Sequence, residues 1–222
     1  MKHLNKRIGV IVLICLATLF LSGCSGTKRI KVEYLPGFNA DEWFSEQKPS
    51  IAVNSMWDER PYTDRIGEGY NAWGGKIETW VTDGPSPAEI LEDALIRQLE
   101  NAGFEVIRTS GWNFSADSIP AYLDTDFLLG GRLRTFWVES RPGLLTVSVN
   151  SRVTFDLIIA DVENKRILWT GQFTGSDTTE TVVRTAEQMR LSISRALTQA
   201  VNKVFQDPQV RHAAVDLVRI KF

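Results

Sequence analysis

Hydrophobic and polar residues alternate most cleanly between positions 145 and 159. Leu145, Val147, Val149, Val153, Phe155, Leu157 and Ile159 share one parity, and Thr146, Ser148, Asn150, Arg152, Thr154 and Asp156 share the other. A period of two sustained this long predicts a strand with one dry face and one wet face. Upstream, Phe127, Leu129 and Leu133 begin another strand, and Phe136, Trp137 and Val138 lie near its end. The buried parity switches between Leu133 and Phe136, which predicts a bulge there. Arg141-Pro142-Gly143 supplies the turn between the two, and Glu163-Asn164-Lys165 returns the chain into a third strand with Ile167, Trp169, Gly171 and Phe173.

Other stretches carry the helical period. Leu91, Leu95, Leu99 and Ala102 recur at helical spacing, preceded by Ser86-Pro87-Ala88-Glu89 and followed by Gly103. Ser86 and Glu89 form a capping box, Pro87 suits the first helical position, and Gly103 suits the C′ position. Strands at 51–57 and 104–107 flank this helix, so a parallel crossover is expected. Gly74-Gly75 predicts a hairpin turn within 72–81. A second helix is expected from about 178 to 205, capped by Asp177-Thr178-Thr179-Glu180, with Val182, Ala186, Met189, Ile193, Ala196/Leu197, Ala200 and Val204 on one stripe. Asp207-Pro208 stops it. The predicted fold class is α+β: a mixed, mostly antiparallel sheet with two helices packed on one face, in the order β-α-β-β-β-α. The predicted body is a single domain over 49–206, followed by a C-terminal tail over 207–222. The weak alternation from Val215 to Phe222 suggests an edge or partner-binding strand.

The N-terminus changes the picture. Lys2, Lys6 and Arg7 precede an apolar run from Ile8 to Phe20, which ends in Leu21-Ser22-Gly23-Cys24. The charge pattern and short apolar length suit a secretory signal peptide. The tetrapeptide resembles a bacterial lipobox, so cleavage after residue 23 and acylation of Cys24 are expected. Diacylglycerol and an N-acyl chain on Cys24 would be the only added groups; no other cofactor is expected. Residues 24–48 are expected to be the lipidated cysteine and its tether, with one extended piece at Ile30-Lys31-Val32-Glu33-Tyr34. Ser25, rather than Asp, after the cysteine implies the outer membrane, with the domain on its periplasmic face. Removing residues 1–23 leaves 199 of 222 and shifts the formal charge from −2 to −5.

Composition then removes chemistry. Cys15 and His3 leave with the signal segment, so His212 is the last histidine and no free thiol remains. Thiol nucleophiles and clustered Cys/His metal sites are excluded by inventory, and no catalytic residue or metal site is expected. A chain 43% hydrophobic and 23% charged can build a core. Its mild acidity and lack of a basic patch argue against nucleic acid.

The charged stretch Met56-Trp57-Asp58-Glu59-Arg60-Pro61-Tyr62-Thr63-Asp64-Arg65-Ile66-Gly67-Glu68-Gly69 admits three readings. Asp58, Glu59 and Asp64 could form a carboxylate site, but Arg60 and Arg65 adjoin them. Gly67-Glu68-Gly69-Tyr70-Asn71-Ala72 matches a dinucleotide fingerprint by letter, yet no helix follows and Glu68 would repel phosphate. The third reading is structural. Pro61 ends the strand, Asp58 caps the turn, and the glycines allow positive φ. Of seven tryptophans, Trp57, Trp137 and Trp169 fall in or beside strands and are assigned to the core. Trp43, Trp73, Trp80 and Trp112 fall in or near loops, where they could grip a partner.

Several of these pieces occur together in one family. A lipobox precedes an Ile-x-Val strand, Asp58-Glu59-Arg60-Pro61, Ile66-Gly67, and a helix ending Leu99-Glu100-Asn101-Ala102-Gly103-Phe104-Glu105-Val106. This resembles the YajG-like family of uncharacterised bacterial lipoproteins, over about residues 10–206. The resemblance implies an envelope lipoprotein with a small α+β domain, and no catalytic residue. The expected role is a non-catalytic binding or scaffolding module whose partner is another envelope protein or a glycan. The alternatives are an auxiliary lipoprotein of a lipid or glycan transport system, and a carboxylate hydrolase. The candidate contact surface is Asp58, Glu59, Arg60, Trp73, Trp80 and Arg152.

Overall fold

The computed structural model describes residues 26–35, 43–44 and 48–221, with side chains described as far as 215. The signal segment and the lipobox residues Leu21, Ser22, Gly23 and Cys24 lie outside the described residues. Nine strands form one curled, mixed sheet, a half-barrel. Its spine is β7 (Phe127–Pro142). On one side of β7 lies β8 (Val147–Asp161), followed by β9 (Arg166–Thr181), each antiparallel to its neighbour. On the other side, three short strands line up along β7, all parallel to it. These are β2 (Ser50–Asn54), β3 (Trp57–Asp58) and β4 (Gly67–Tyr70). Beyond them, β6 (Glu105–Thr109) pairs with β2, β5 (Lys76–Thr82) with β4, and β1 (Gly26–Ile30) with β5.

Five pairings are therefore parallel and three antiparallel, so the mostly antiparallel sheet predicted above is too simple. The meander was legible because alternation is local. The parallel half arises because residues 50–70 step along β7 without reversing, and that depends on a distant strand. The predicted parallel crossover between β2 and β6 is present. The predicted bulge is also present, as a register shift between Leu133 and Thr135. It turns Phe136 and Val138 into the concave core and leaves Thr135 and Trp137 on the convex side.

Helix α1 (Pro87–Asn101) has both halves of the Ser86/Glu89 capping box, and Gly103 follows it at φ +95°. Its Leu91, Leu95 and Leu99 enter the concave core. Helix α2 (Ala186–Gln206) starts later than predicted, capped by Thr185 and Gln188. The segment 177–181 remains in β9. Thr178 Oγ1 donates to Asn150 Oδ1 on β8 at 3.0 Å, so pairing across the sheet overrides the local capping signal. Val182 is exposed and does not join the helical stripe, whereas Met189, Ile193, Ala196, Leu197, Ala200 and Val204 are buried.

The tail is not a strand. It forms a third helix, α3 (Pro208–Lys221). Pro208 both ends α2 and opens α3, where Asp207 Oδ1 accepts from Gln209 N at 2.8 Å. Val210 and Ala214 pack into the core. Residues 26–35, expected to be tether, join the body instead. Ile30, Val32 and Tyr34 are buried, and two α2 hydroxyls stand in for a strand partner. Glu33 N donates to Ser194 Oγ at 3.2 Å, and Leu35 N to Thr198 Oγ1 at 2.9 Å.

A second, smaller hydrophobic cluster lies on the convex face. Residues 112–119 fold over Ala52, Leu128, Ile158 and Ala160 there, contributing Trp112, Phe114 and Ile119. Two tryptophans assigned to loops, Trp80 and Trp112, are thus fully buried, and Trp57, assigned to the core, is exposed.

Candidate interaction face

The Asp58–Gly69 loop is held shut by Arg60. Its Nε donates to Asp58 Oδ1 and its Nη2 to Asp58 Oδ2, both at 2.8 Å, and Nη1 donates to the Arg65 carbonyl at 2.9 Å. This forked pair satisfies a guanidinium that is almost wholly buried. Arg60, expected on the contact surface, is therefore a clamp inside the loop, and almost none of its side chain is left exposed. Asp58, half-buried, is consumed by the same clamp.

Glu59 points elsewhere. It pairs with Arg132 at 3.3 Å and with Arg134. Arg134 Nε then donates to Asp156 Oδ2 at 2.7 Å, and Gln172 Nε2 donates to Asp156 Oδ1 at 2.8 Å. The hydrogen bond that Arg134 donates to Asp156, with the nearby carboxylate charges of Asp156 and Glu59, holds the Arg134 pKa above its ordinary value. The result is a polar rung across the convex face from β3 to β9. Asp58 and Glu59 do not face one another across a pocket.

The Gly67-Glu68-Gly69 motif has a packing explanation. Neither glycine has the positive φ expected of a turn. A Cβ on Gly67 would lie 1.9 Å from the Val138 carbonyl oxygen, and one on Gly69 would lie 2.9 Å from Glu78 Oε2. At Gly67 the β7 backbone comes too close for a side chain, while at Gly69 the end of the Glu78 side chain fills the space. Glu68 pairs with Arg65 at 3.1 Å and Lys76 at 3.4 Å, and accepts from the Tyr70 hydroxyl at 2.6 Å.

The open part of the convex face lies beside this loop. Tyr62 leans over Trp137 with ring centroids 5.6 Å apart, and the Arg65 guanidinium sits 4.4 Å from the Tyr62 ring. Arg60, Pro61, Tyr62, Thr135, Phe136 and Trp137 line a cleft of about 260 Å³. Arg152 faces Trp137 directly across the β7–β8 ladder. It is exposed and, among the described residues, has no ion-pair or hydrogen-bond partner. Beyond it, Thr154 and Thr174 share a hydroxyl contact of 3.0 Å.

Of the six expected surface residues, Glu59 and Arg152 lie on this face. Trp73 is exposed, but at the tip of the β4–β5 hairpin. Trp80 is fully buried, beneath the Lys28 ammonium, so it cannot contact a partner. Sequence reasoning missed Tyr62 and Trp137. The predicted bulge could have found Trp137, since it moves that residue to the same face of the sheet as Arg152.

The chain is similar in fold to two solved bacterial proteins. One is a Xanthomonas campestris protein of the DUF330 family, at 12% identity and a TM-score of 0.51, over 88% of this chain and 99% of that one. The other is a Helicobacter pylori homolog of a neuraminyllactose-binding hemagglutinin, at 12% identity and a TM-score of 0.52, over 87% and 100%. A lipoprotein from Neisseria meningitidis also aligns, over 72% and 99%, at 14% identity and a TM-score of 0.39, too distant to support an argument. No family model and no curated protein matches the sequence, so the YajG-like resemblance is not matched by a sequence family. Among the described residues, no helix is long and apolar enough to cross a membrane.

Proposed function

We propose that this chain is an envelope lipoprotein, acylated at Cys24 and held on the periplasmic face of the outer membrane, that acts as a non-catalytic binding or scaffolding module. The observation that supports a binding role is the open convex patch of Tyr62, Trp137 and Arg152. Aromatic rings and an unpaired arginine are the side chains that dominate protein contact surfaces. Its partner is another envelope protein or a glycan.

Two experiments test the parts separately. Cys24→Ala should abolish membrane attachment on fractionation; unchanged attachment would remove the lipoprotein reading. Crosslinking in intact cells, followed by capture, should recover a partner with the parent chain and lose it with Trp137→Ala/Arg152→Glu. Equal recovery from that double variant would show that binding lies elsewhere.

A further inference from the structure

Five large apolar side chains are exposed at one end of the sheet. They are Trp73 at 94%, Leu144 at 97%, Leu145 at 84%, Val182 at 78% and Val183 at 63%. They come from three separate places in the sequence, and the registers bring them to one level. Gly69 pairs with Ser140, so the β4–β5 hairpin tip bearing Trp73 and the β7–β8 turn bearing Leu144 and Leu145 project from the same end. Val147 pairs with Thr181, so Val182 and Val183 leave β9 beside that turn. Single exposed apolar residues need no explanation, but a cluster of five at one rim does.

The chain enters the fold at this same end. β1 runs parallel to β5 with Gly26 opposite Glu78, and Glu78 opposite Gly69. Gly26 is two residues after Cys24. Covalent geometry therefore keeps the Cys24 Cα within about 7 Å of the Gly26 Cα, whatever the conformation between them. A tether of 24 residues would let the domain adopt any orientation. A leash of two residues does not.

We infer that the Trp73, Leu144–Leu145 and Val182–Val183 rim lies against the lipid surface, so that the domain stands on the membrane in a fixed orientation. The inference rests on acylation of Cys24, the reading proposed above. Trp is favoured at the membrane interface, and the aliphatic neighbours suit the boundary below the headgroups. Nearby cations already have acidic partners: Lys76 with Glu68, Arg141 with Glu139, and Lys28 and Arg184 with Glu78. The contact is therefore apolar and insensitive to salt. The opposite end, at the Glu163–Lys165 turn, stands away from the bilayer. β8 has 15 residues, which gives roughly 50 Å along the strand between the two ends.

Cys24 is the last natural cysteine after signal removal, so one added thiol can be labelled selectively. Leu144→Cys, Val183→Cys and Lys165→Cys would each carry an environment-sensitive fluorophore on the acylated chain. The chains would be reconstituted in phosphatidylethanolamine–phosphatidylglycerol vesicles. Labels at 144 and 183 should shift to the blue and lose emission to spin-labelled lipid, at low and high salt alike. The label at 165 should do neither. Adding Trp73→Ala/Leu145→Asp should abolish the quenching at 183 while the acyl anchor keeps the chain on the vesicle. Three labels alike in emission and unquenched would overturn the inference. So would a blue shift at 144 that spin-labelled lipid leaves untouched while copies crosslink through position 144, since a second copy would then cover the rim. Mass spectrometry of Cys24 separates the two readings: an unacylated chain refutes the lipoprotein proposal, and an acylated, unquenched one refutes only the orientation.

Discussion

Arg60 and Arg152 were drawn from the same sequence reasoning, as charged residues on a candidate surface, and the fold gives them opposite surroundings. Arg60 lies almost wholly inside its own loop, with Asp58 and two backbone carbonyls accepting from it. Arg152 stands on the wet face of β8 with open solvent around it. The difference comes from what the neighbouring backbone needs. The 59–66 loop leaves carbonyls without ladder partners, and a fork of five donors can satisfy several of them at once. Around Arg152 the ladder is complete on both sides, so its side chain has no structural duty. Charge in a sequence marks a surface only where the backbone has no use for it.

Removing each arginine should separate these roles. Arg60→Ala leaves Asp58 without its guanidinium partner and the Arg65 carbonyl without that donor, and should lower unfolding free energy by on the order of 3 kcal/mol, measured by urea titration. A loss below that of an ordinary surface substitution would mean the clamp is dispensable. Next in size, Gly67→Ala forces β4 away from the Val138 carbonyl and should cost roughly 2 kcal/mol, read as a lower midpoint at unchanged slope. Thr185→Ala, which removes the α2 cap, should cost about 1 kcal/mol. The buried Tyr34 hydroxyl extends the contrast to pH. Burial pushes its pKa up to about 12 from an ordinary 10.0. Its folded state therefore holds the proton more tightly than the unfolded chain does. That contribution is complete below pH 10 and declines as pH rises through about 12. Tyr34→Phe should flatten the alkaline limb of the stability profile; an unchanged limb would assign it to other groups. Smallest of all, Arg152→Ala should change stability by less than about 0.5 kcal/mol, so that any loss of partner capture is a binding effect.

What was legible in the sequence was what neighbours along the chain decide. The alternation of β8 from Val147, the bulge in β7 and the caps of α1 all rest on contacts a few residues apart and are present, whereas Leu145, expected on the dry face, lies exposed in the turn before β8. The errors lie where distant pairing decides. Asp177-Thr178-Thr179-Glu180 has the letters of a helix start, but Asn150 on β8 claims Thr178. In β5, Ile77, Thr79 and Val81 share a face by letter, yet it is Trp80, of the opposite parity, that is fully buried in the concave core. The candidate face was half legible for the same reason. Arg152 follows from strand parity, whereas Tyr62 reaches Trp137 only through a loop whose path Arg60 fixes.

The position of β7 also bears on the order in which the chain can fold. β2, β3 and β4 share β7 as their neighbour, and it begins at Phe127, more than 50 residues after the last of them ends. A chain available only to residue 120 could make the β1–β5–β4 and β2–β6 pairings and α1, but it lacks the strand that joins the two sets. A two-stranded pair and a 15-residue helix are each marginal in water. The first half thus waits, without a stable core, for a strand that arrives late, and its pairing is long-range and slow. Under the lipoprotein reading proposed above, such a delay would suit a chain threaded unfolded across one membrane before it settles on another.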